Sequence, residues 1–183
     1  MIASAQIKWL KDMNITDYSV DDEGFVNVDG NINVSHKLTS IPVKFGYVSG
    51  DFYCRDNKLT SLEGAPREVG GGFYCDFNNL TSLQGSPREV GGDFYCRYNN
   101  LSSLQGAPRE VSGNFDCSYN NNLTSLQGGP KEVGGDFYCY YNNLSSLQGA
   151  PREVGGDFIC GHNKFTSEPD HSFIKIGEEF VWK

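Results

Sequence analysis

The sequence predicts a mainly-β solenoid of about seven turns, in which short parallel strands from successive turns stack on one another. One observation is a repeated segment: LTSLQGSPREVGGDFYCRYNN, residues 80–100, recurs in close copies from about residue 38 to residue 165. Another is its period, because the phenylalanine before each cysteine returns after 21, 21, 21, 22 and 21 residues. These phenylalanines are Phe52, Phe73, Phe94, Phe115, Phe137 and Phe158. A degenerate turn precedes them, with Ile32 and Val34 in the places of Phe and Cys.

Each repeat carries apolar residues at fixed places. In the second full repeat Phe73 and Cys75 are separated by Tyr74, an alternation typical of a short strand with one buried face. Leu80 and Leu83 follow beyond a turn, on the far side of the coil. One turn cannot bury these side chains alone, whereas turns stacked at about 4.8 Å form a continuous core. The segment that returns to the next strand shows no long helical period, so we expect it to be extended or a single helical turn.

The two ends of the chain depart from the repeat and are predicted to be caps, which an open solenoid needs to cover its apolar core and strand edges. A hairpin is expected from residues 18–20 and 25–28, because two short alternating segments flank the turn DDEG. The predicted organisation is an acidic N-terminal cap (1–30), the solenoid (31–165) and a C-terminal cap (166–183).

The N-terminal cap is expected to begin with a short amphipathic helix over residues 4–13. Ser4 is a candidate N-cap, and Ile7, Leu10 and Met13 recur at the spacing of one helix face. The start of the chain lacks the basic residues and apolar run of a secretory signal.

The pattern Phe-x-Cys-x-x-Asn-x-Leu-x-x-Leu, as in residues 94–104, resembles a leucine-rich repeat. The short period and Pro87 before Val90 are similar to compact bacterial repeats of this kind. The phrase VGGDFYC…NNLTSLQGAP resembles leucine-rich-repeat proteins of tailed bacteriophages still more closely. Phe and Cys stand where Leu is usual, and one residue is added in the glycine turn. The resemblance implies a binding protein, encoded by a phage, that inhibits a defence or regulatory protein of the infected bacterium; it names no partner.

Composition and charge restrict the partners. The chain has 183 residues and a formal charge of −8, and residues 1–36 carry two lysines against six acids. An acidic chain without clustered Lys and Arg is not expected to bind long nucleic acids or anionic membrane surfaces. No apolar run approaches the roughly 20 residues that span a bilayer.

The six cysteines occupy one register of the repeat, so we expect an inward-facing column of reduced thiols. In-register parallel neighbours hold their Cβ atoms about 4.8 Å apart, farther than the roughly 3.8 Å of a disulfide. Reduced thiols indicate a reducing compartment, hence the cytoplasm, which for a phage protein is that of the infected bacterium. The histidines at 36, 162 and 171 do not have zinc-ligand spacing, and we expect no metal and no cofactor.

The candidate binding surface consists of the outward side chains of the strands and the residues that follow them, which we call the tyrosine face. Tyrosine and arginine together are typical of the centre of a protein–protein interface. The predicted partner-binding residues are Tyr53, Arg55, Tyr74, Phe77, Tyr95, Arg97, Tyr98, Asp116, Tyr119, Tyr138, Tyr140 and Tyr141.

Two other interpretations of this face stay open at this point. Cross-strand aromatic pairs also stabilise sheets, so the tyrosines could serve the fold. Tyrosines could instead stack on a small nucleotide or similar ligand, with Arg55 and Arg97 on its phosphates. We expect no enzymatic activity, because the cysteines face inward and no histidine has an evident nucleophile or acid beside it. The main expectation is a non-enzymatic protein-binding module.

Overall fold

A computed structural model describes residues 2–34 and 37–183 and shows a parallel β-solenoid with an N-terminal helix. His36, one of the three histidines considered above, lies outside the described residues. The coil has two sheets, each receiving a strand from every full turn. The predicted fold class, a mainly-β solenoid of about seven turns with parallel strands, is confirmed.

The first sheet, called the Phe-Tyr sheet, has eight strands and contains the strands predicted from the repeat. In order along the chain they are Ile32–Asn33, Phe52–Tyr53, Phe73–Tyr74, Phe94–Tyr95, Phe115–Asp116, Phe137–Tyr138, Phe158–Ile159 and Phe180–Val181. All neighbours pair in parallel, and equivalent residues of successive turns lie opposite one another. Every repeat position therefore becomes a column along the solenoid.

The second sheet, called the Glu-Val sheet, has nine strands. They are Ser19–Val20, Val26–Val28, Phe45–Val48, Glu68–Val69, Glu89–Val90, Glu110–Val111, Glu132–Val133, Glu153–Val154 and Lys175–Ile176. The valines of the five Glu-Val strands are buried and the glutamates are exposed. The return segment is thus extended, which confirms one of the two alternatives expected from the sequence. It also forms a second sheet, which the sequence did not predict.

Phenylalanine and cysteine form the centre of the core. The phenylalanines of the six full turns are completely buried, and neighbouring rings stack, with centroids 5.3 Å apart between Phe73 and Phe94 and between Phe94 and Phe115. The six cysteines are buried and unpaired, as expected. Burial raises the pKa of the Cys75 and Cys96 thiols well above its usual value, so these thiols are uncharged at neutral pH.

A column of buried asparagines connects successive turns. Asn99 Nδ2 donates to the carbonyl oxygens of Cys75 (3.0 Å) and Cys96 (3.1 Å), and its Oδ1 accepts from the backbone N–H of Leu80 at 2.9 Å. Equivalent bonds to two cysteine carbonyls are made by Asn78, Asn120, Asn142 and Asn163. Each amide therefore satisfies backbone groups that would otherwise be buried without partners.

Both ends of the coil carry additional elements. The helix spans Ser4–Asp12; its N-cap is Ala3 rather than the expected Ser4, and the Ala3 N–H donates to Gln6 Oε1 at 2.9 Å. Ile7, expected on the buried face, is exposed, whereas Leu10 is completely buried.

The predicted hairpin is confirmed by the antiparallel pairing of Ser19–Val20 with Val26–Val28. The Arg67 guanidinium lies 3.5 Å from the centroid of the Phe25 ring and so ties this hairpin to the solenoid. At the other end, Lys175–Ile176 and Phe180–Val181 extend the two sheets.

We predict that Asn99→Ala lowers the free energy of unfolding by about 3 kcal/mol, because three buried backbone groups lose their side-chain partner. The matched control is Asn100→Ala, at the neighbouring exposed position, where we expect a change below about 0.5 kcal/mol. Urea unfolding followed by circular dichroism measures both. Equal midpoints for the two variants would show that the asparagine column does not hold the turns together.

Candidate functional site

The tyrosine face is built from neighbouring columns on the outside of the Phe-Tyr sheet. Tyr53, Tyr74 and Tyr95 lie opposite one another in register, followed by Asp116 and Tyr138. The residue two positions later shares their outward direction because strand side chains alternate. That second column contains Arg55, Asp76, Arg97, Ser118 and Tyr140.

Contacts hold the tyrosines of the first column in fixed orientations. The rings of Tyr53 and Tyr74 stack with centroids 4.8 Å apart, and Tyr95 meets Tyr74 edge-on at 5.4 Å. The Tyr53 hydroxyl donates to Asp51 at 2.8 Å, and the Tyr138 hydroxyl donates to Asp136 at 2.6 Å. These residues therefore present a preorganised surface.

Gly72 makes room for one of these rings. A Cβ at Gly72 would lie 2.5 Å from the Tyr74 hydroxyl oxygen and 2.6 Å from the ring carbon that bears it. Other turns have aspartate here, as at Asp51 and Asp93, so the glycine accommodates the position of Tyr74.

A third column forms a continuous ladder of rings, which we call the aromatic ladder: Phe77, Tyr98, Tyr119, Tyr141 and His162. The four successive centroid distances are 4.5, 4.3, 4.7 and 4.2 Å, with planes within 11° of parallel. The exposed fractions of Phe77, Tyr98 and Tyr141 are 45%, 39% and 41%. The flat faces of the inner rings are covered by their neighbours, so the ladder presents ring edges to solvent.

The backbone of the aromatic ladder lies in the left-handed region, with φ between 53° and 57° at each of its five residues. Asp56 has the same φ of 56° in the first full turn, so the fold needs this conformation whatever the side chain. Glycine, asparagine, aspartate and histidine adopt it most readily, and bulky residues rarely do. The phenylalanine and the three tyrosines of the ladder therefore stand here against the local backbone preference.

Two buried carboxylates lie beneath this surface. Asp76 and Asp116 are only 2% and 4% exposed, and both face Arg97. Arg97 Nε lies 3.6 Å from Asp76 Oδ1, and Arg97 Nη1 lies 3.8 Å from Asp116 Oδ2. Both distances exceed those of good hydrogen bonds, and neither Asp76 Oδ1 nor Arg97 Nε has a hydrogen-bond partner. We call these three residues the carboxylate cluster.

Burial governs the acid–base properties of the site. It raises the pKa of Asp76 to about 6, although the nearby Arg97 guanidinium opposes the shift. Burial also raises the pKa of Asp116, although the Ser118 backbone N–H donates a hydrogen bond to Asp116 Oδ1 that opposes the shift. Burial raises the pKa of the Tyr74 hydroxyl to about 12, and the hydrogen bond to Asp136 raises the pKa of the Tyr138 hydroxyl. The Tyr74 and Tyr138 hydroxyls therefore remain protonated at neutral pH.

The structure brings the residues predicted from the sequence together on one surface. Arg55, Phe77, Tyr98 and Tyr141 are exposed; Tyr53, Tyr74, Tyr95, Arg97, Tyr119, Tyr138 and Tyr140 are partly buried; Asp116 is buried. Asp76 was not among the predicted binding residues, although it stands between two arginines of its column. That change of charge within an otherwise regular repeat was the signal that could have indicated it.

Comparison of the chain with family models, with curated proteins and with solved structures gave no significant match. Among residues 2–34 and 37–183, no helix has the length and apolar character needed to cross a bilayer. Over the same residues, no group of three or more His, Cys, Asp or Glu side chains could hold a metal ion.

We predict that the buried charge of Asp76 makes stability depend on pH. A carboxyl whose pKa is about 6 when folded and roughly 3.9 when unfolded stabilises the fold below pH 4, and this contribution is lost as pH rises through 6. Relative to wild type, Asp76→Asn should therefore gain about 2 kcal/mol in unfolding free energy between pH 4 and pH 7.5.

Asp56→Asn is the matched control, since it removes the same charge from an exposed position of the same face. Urea unfolding of the three proteins at pH 4, 6 and 7.5 measures the effect. A constant difference between wild type and Asp76→Asn across this range would contradict the raised pKa.

Proposed function

We propose that the chain is a non-enzymatic protein-binding module whose tyrosine face holds a protein partner. The observation that carries the proposal is the aromatic ladder: exposed rings occupy left-handed positions where the fold needs the conformation but not the aromatic side chain. Conformational strain of this kind concentrates at functional sites. Tyr and Arg are also the residues most enriched among those that dominate binding energy.

The geometry of the ladder favours a protein over a planar small ligand. Ring centroids 4.2–4.7 Å apart leave no gap for a base between neighbouring rings. Ring edges, tyrosine hydroxyls and the partly exposed Arg97 form an extended surface instead. Two concavities of about 670 and 550 Å³ lie elsewhere, the first along the Glu-Val sheet and the second beside Leu147 and Phe173. A small nucleotide remains the alternative ligand, and the experiment below addresses it.

The resemblance to phage-encoded repeat proteins supports a partner in an infected bacterium. In this proposal the chain covers a surface of a defence or regulatory protein and so inhibits it. The six buried, unpaired thiols support action in a reducing compartment such as the bacterial cytoplasm.

The proposal predicts that Tyr95→Ala/Tyr98→Ala reduces affinity for the partner at least tenfold, because central interface tyrosines often contribute about 2 kcal/mol or more each. Immobilised wild type and the variant are compared by quantitative mass spectrometry of proteins bound from a bacterial lysate, and the protein enriched on wild type is then purified for affinity measurement. Tyr47→Ala is the matched control, because Tyr47 is 45% exposed but lies on the Glu-Val sheet.

Equal capture by wild type and the double variant would contradict the assignment of the tyrosine face. An equal loss with Tyr47→Ala would contradict it as well. A nucleotide released from the purified protein on heating, together with nucleotide-dependent thermal stabilisation lost in the double variant, would favour the alternative ligand. Thermal unfolding of each variant checks that the solenoid is intact.

A further inference from the structure

The carboxylate cluster has an unbalanced charge and unused hydrogen-bonding capacity. Its two carboxylates face one guanidinium, so the group carries one more negative than positive charge when all three members are ionised. Asp76 is only 2% exposed, and its Oδ1 accepts no hydrogen bond. Burying a carboxylate oxygen without a hydrogen bond is costly, and other turns place Arg55 or Tyr140 at this position, so the repeat does not require an acid here.

The partner chemistry follows from the groups around the cluster. Arg55 lies 5.7 Å from the centroid of Tyr53, and Arg97 lies 5.6 Å from the centroid of Tyr95, so these rings already accommodate guanidinium groups. A guanidinium is planar, weakly hydrated and rich in N–H donors, which suits a site of aromatic rings beside the under-bonded carboxylate of Asp76. One further guanidinium would neutralise the excess negative charge.

The electrostatic surroundings favour the same partner. Four outward positions of each full turn matter here: the residue before the phenylalanine, the first and second columns of the tyrosine face, and the column of the aromatic ladder. Across the six full turns these positions contain seven aspartates and two arginines. These aspartates are Asp51, Asp56, Asp76, Asp93, Asp116, Asp136 and Asp157. Such a surface attracts basic groups over distance and repels acidic ones.

We propose that the carboxylate cluster is the recognition site for an arginine side chain of the protein partner. The inference rests on the proposed function of the tyrosine face and adds the chemistry of what that face recognises. The incoming guanidinium lies beside Arg97, which is the accessible member of the cluster with 36% of its side chain exposed. Because Asp76 Oδ1 is buried, the partly exposed Arg97 side chain moves aside to admit this guanidinium, which then donates the hydrogen bonds to Asp76 and Asp116 that Arg97, at 3.6 and 3.8 Å, does not make.

The test uses short peptides and needs no cellular partner. Three blocked Gly/Ser pentapeptides differ only at the central residue, which is arginine, lysine or citrulline, the uncharged analogue of arginine. Titration of the isotope-labelled full chain is followed by NMR. We expect the arginine peptide to shift the amide signals of Asp76, Arg97 and Ser118, the lysine peptide to bind more weakly, and the citrulline peptide to leave these signals unchanged.

Variants decide whether the cluster or the general charge of the face is responsible. Asp76→Asn should weaken binding of the arginine peptide at least fivefold, whereas Asp56→Asn, which removes the same charge from an exposed position, should change it less than twofold. Equal effects of the two variants, equal binding of arginine and citrulline peptides, or signals shifted only outside the cluster would overturn the inference. Equal affinities for arginine and lysine would overturn the assignment to a guanidinium.

The result is separable from that of the capture experiment. Loss of capture by Tyr95→Ala/Tyr98→Ala without any binding of the arginine peptide would leave the binding face standing and overturn the arginine site. The opposite result is binding of the arginine peptide that depends on Asp76, with undiminished capture by Tyr95→Ala/Tyr98→Ala. It would support the arginine site and contradict the proposal that the tyrosine face binds the partner. Thermal unfolding of Asp76→Asn confirms that the variant is folded.

Discussion

The structure depends on the hydrogen bonding of the tight turn after each cysteine. At this turn the chain leaves the Phe-Tyr sheet through a left-handed residue, and a buried asparagine then satisfies the carbonyls of the cysteines in its own turn and the preceding one. Because each asparagine also accepts an N–H from the preceding turn, every turn is held in register with its neighbour. Equal register places identical side chains above one another, and the phenylalanine, cysteine and tyrosine columns follow from it.

The same turn explains why the aromatic ladder indicates a binding function. A left-handed residue is needed in each turn, and aspartate meets the need at Asp56. In later turns bulky rings take its place, where stacking worth about 0.5–1.5 kcal/mol per pair offsets an unfavourable backbone conformation. Stability alone gives little reason for the exchange. Binding energy from tyrosines gives a better one, because preorganised rings lose little conformational entropy when a partner arrives.

The sequence correctly predicted the features that depend only on one repeat and its copies. The period, the buried Phe and Cys columns and the hairpin of Ser19–Val20 with Val26–Val28 all follow from local pattern and stacking. The Glu-Val strands were harder to predict, since two residues with one exposed glutamate show too little alternation to indicate a strand. The burial of Asp76 and Asp116 depends on neighbours from other turns, in particular Arg97. It therefore depends on the positions at which the repeats differ from one another. In the N-terminal helix, the spacing predicted that Ile7 and Leu10 share a buried face; Leu10 is completely buried, whereas Ile7 is exposed.

The central claim is that the tyrosine face, rather than the opposite sheet, contacts the partner. Hydroxyl-radical footprinting of the complex measures this directly, because the oxidation rate of a tyrosine follows the solvent exposure of its side chain. Tyr98 and Tyr141 on the aromatic ladder and Tyr47 on the Glu-Val sheet have similar exposure, 39%, 41% and 45%, so they form an internal comparison without any substitution. The account predicts that the partner slows oxidation of Tyr98 and Tyr141 and leaves Tyr47 unchanged. Protection of Tyr47 with unchanged rates at Tyr98 and Tyr141 would contradict it.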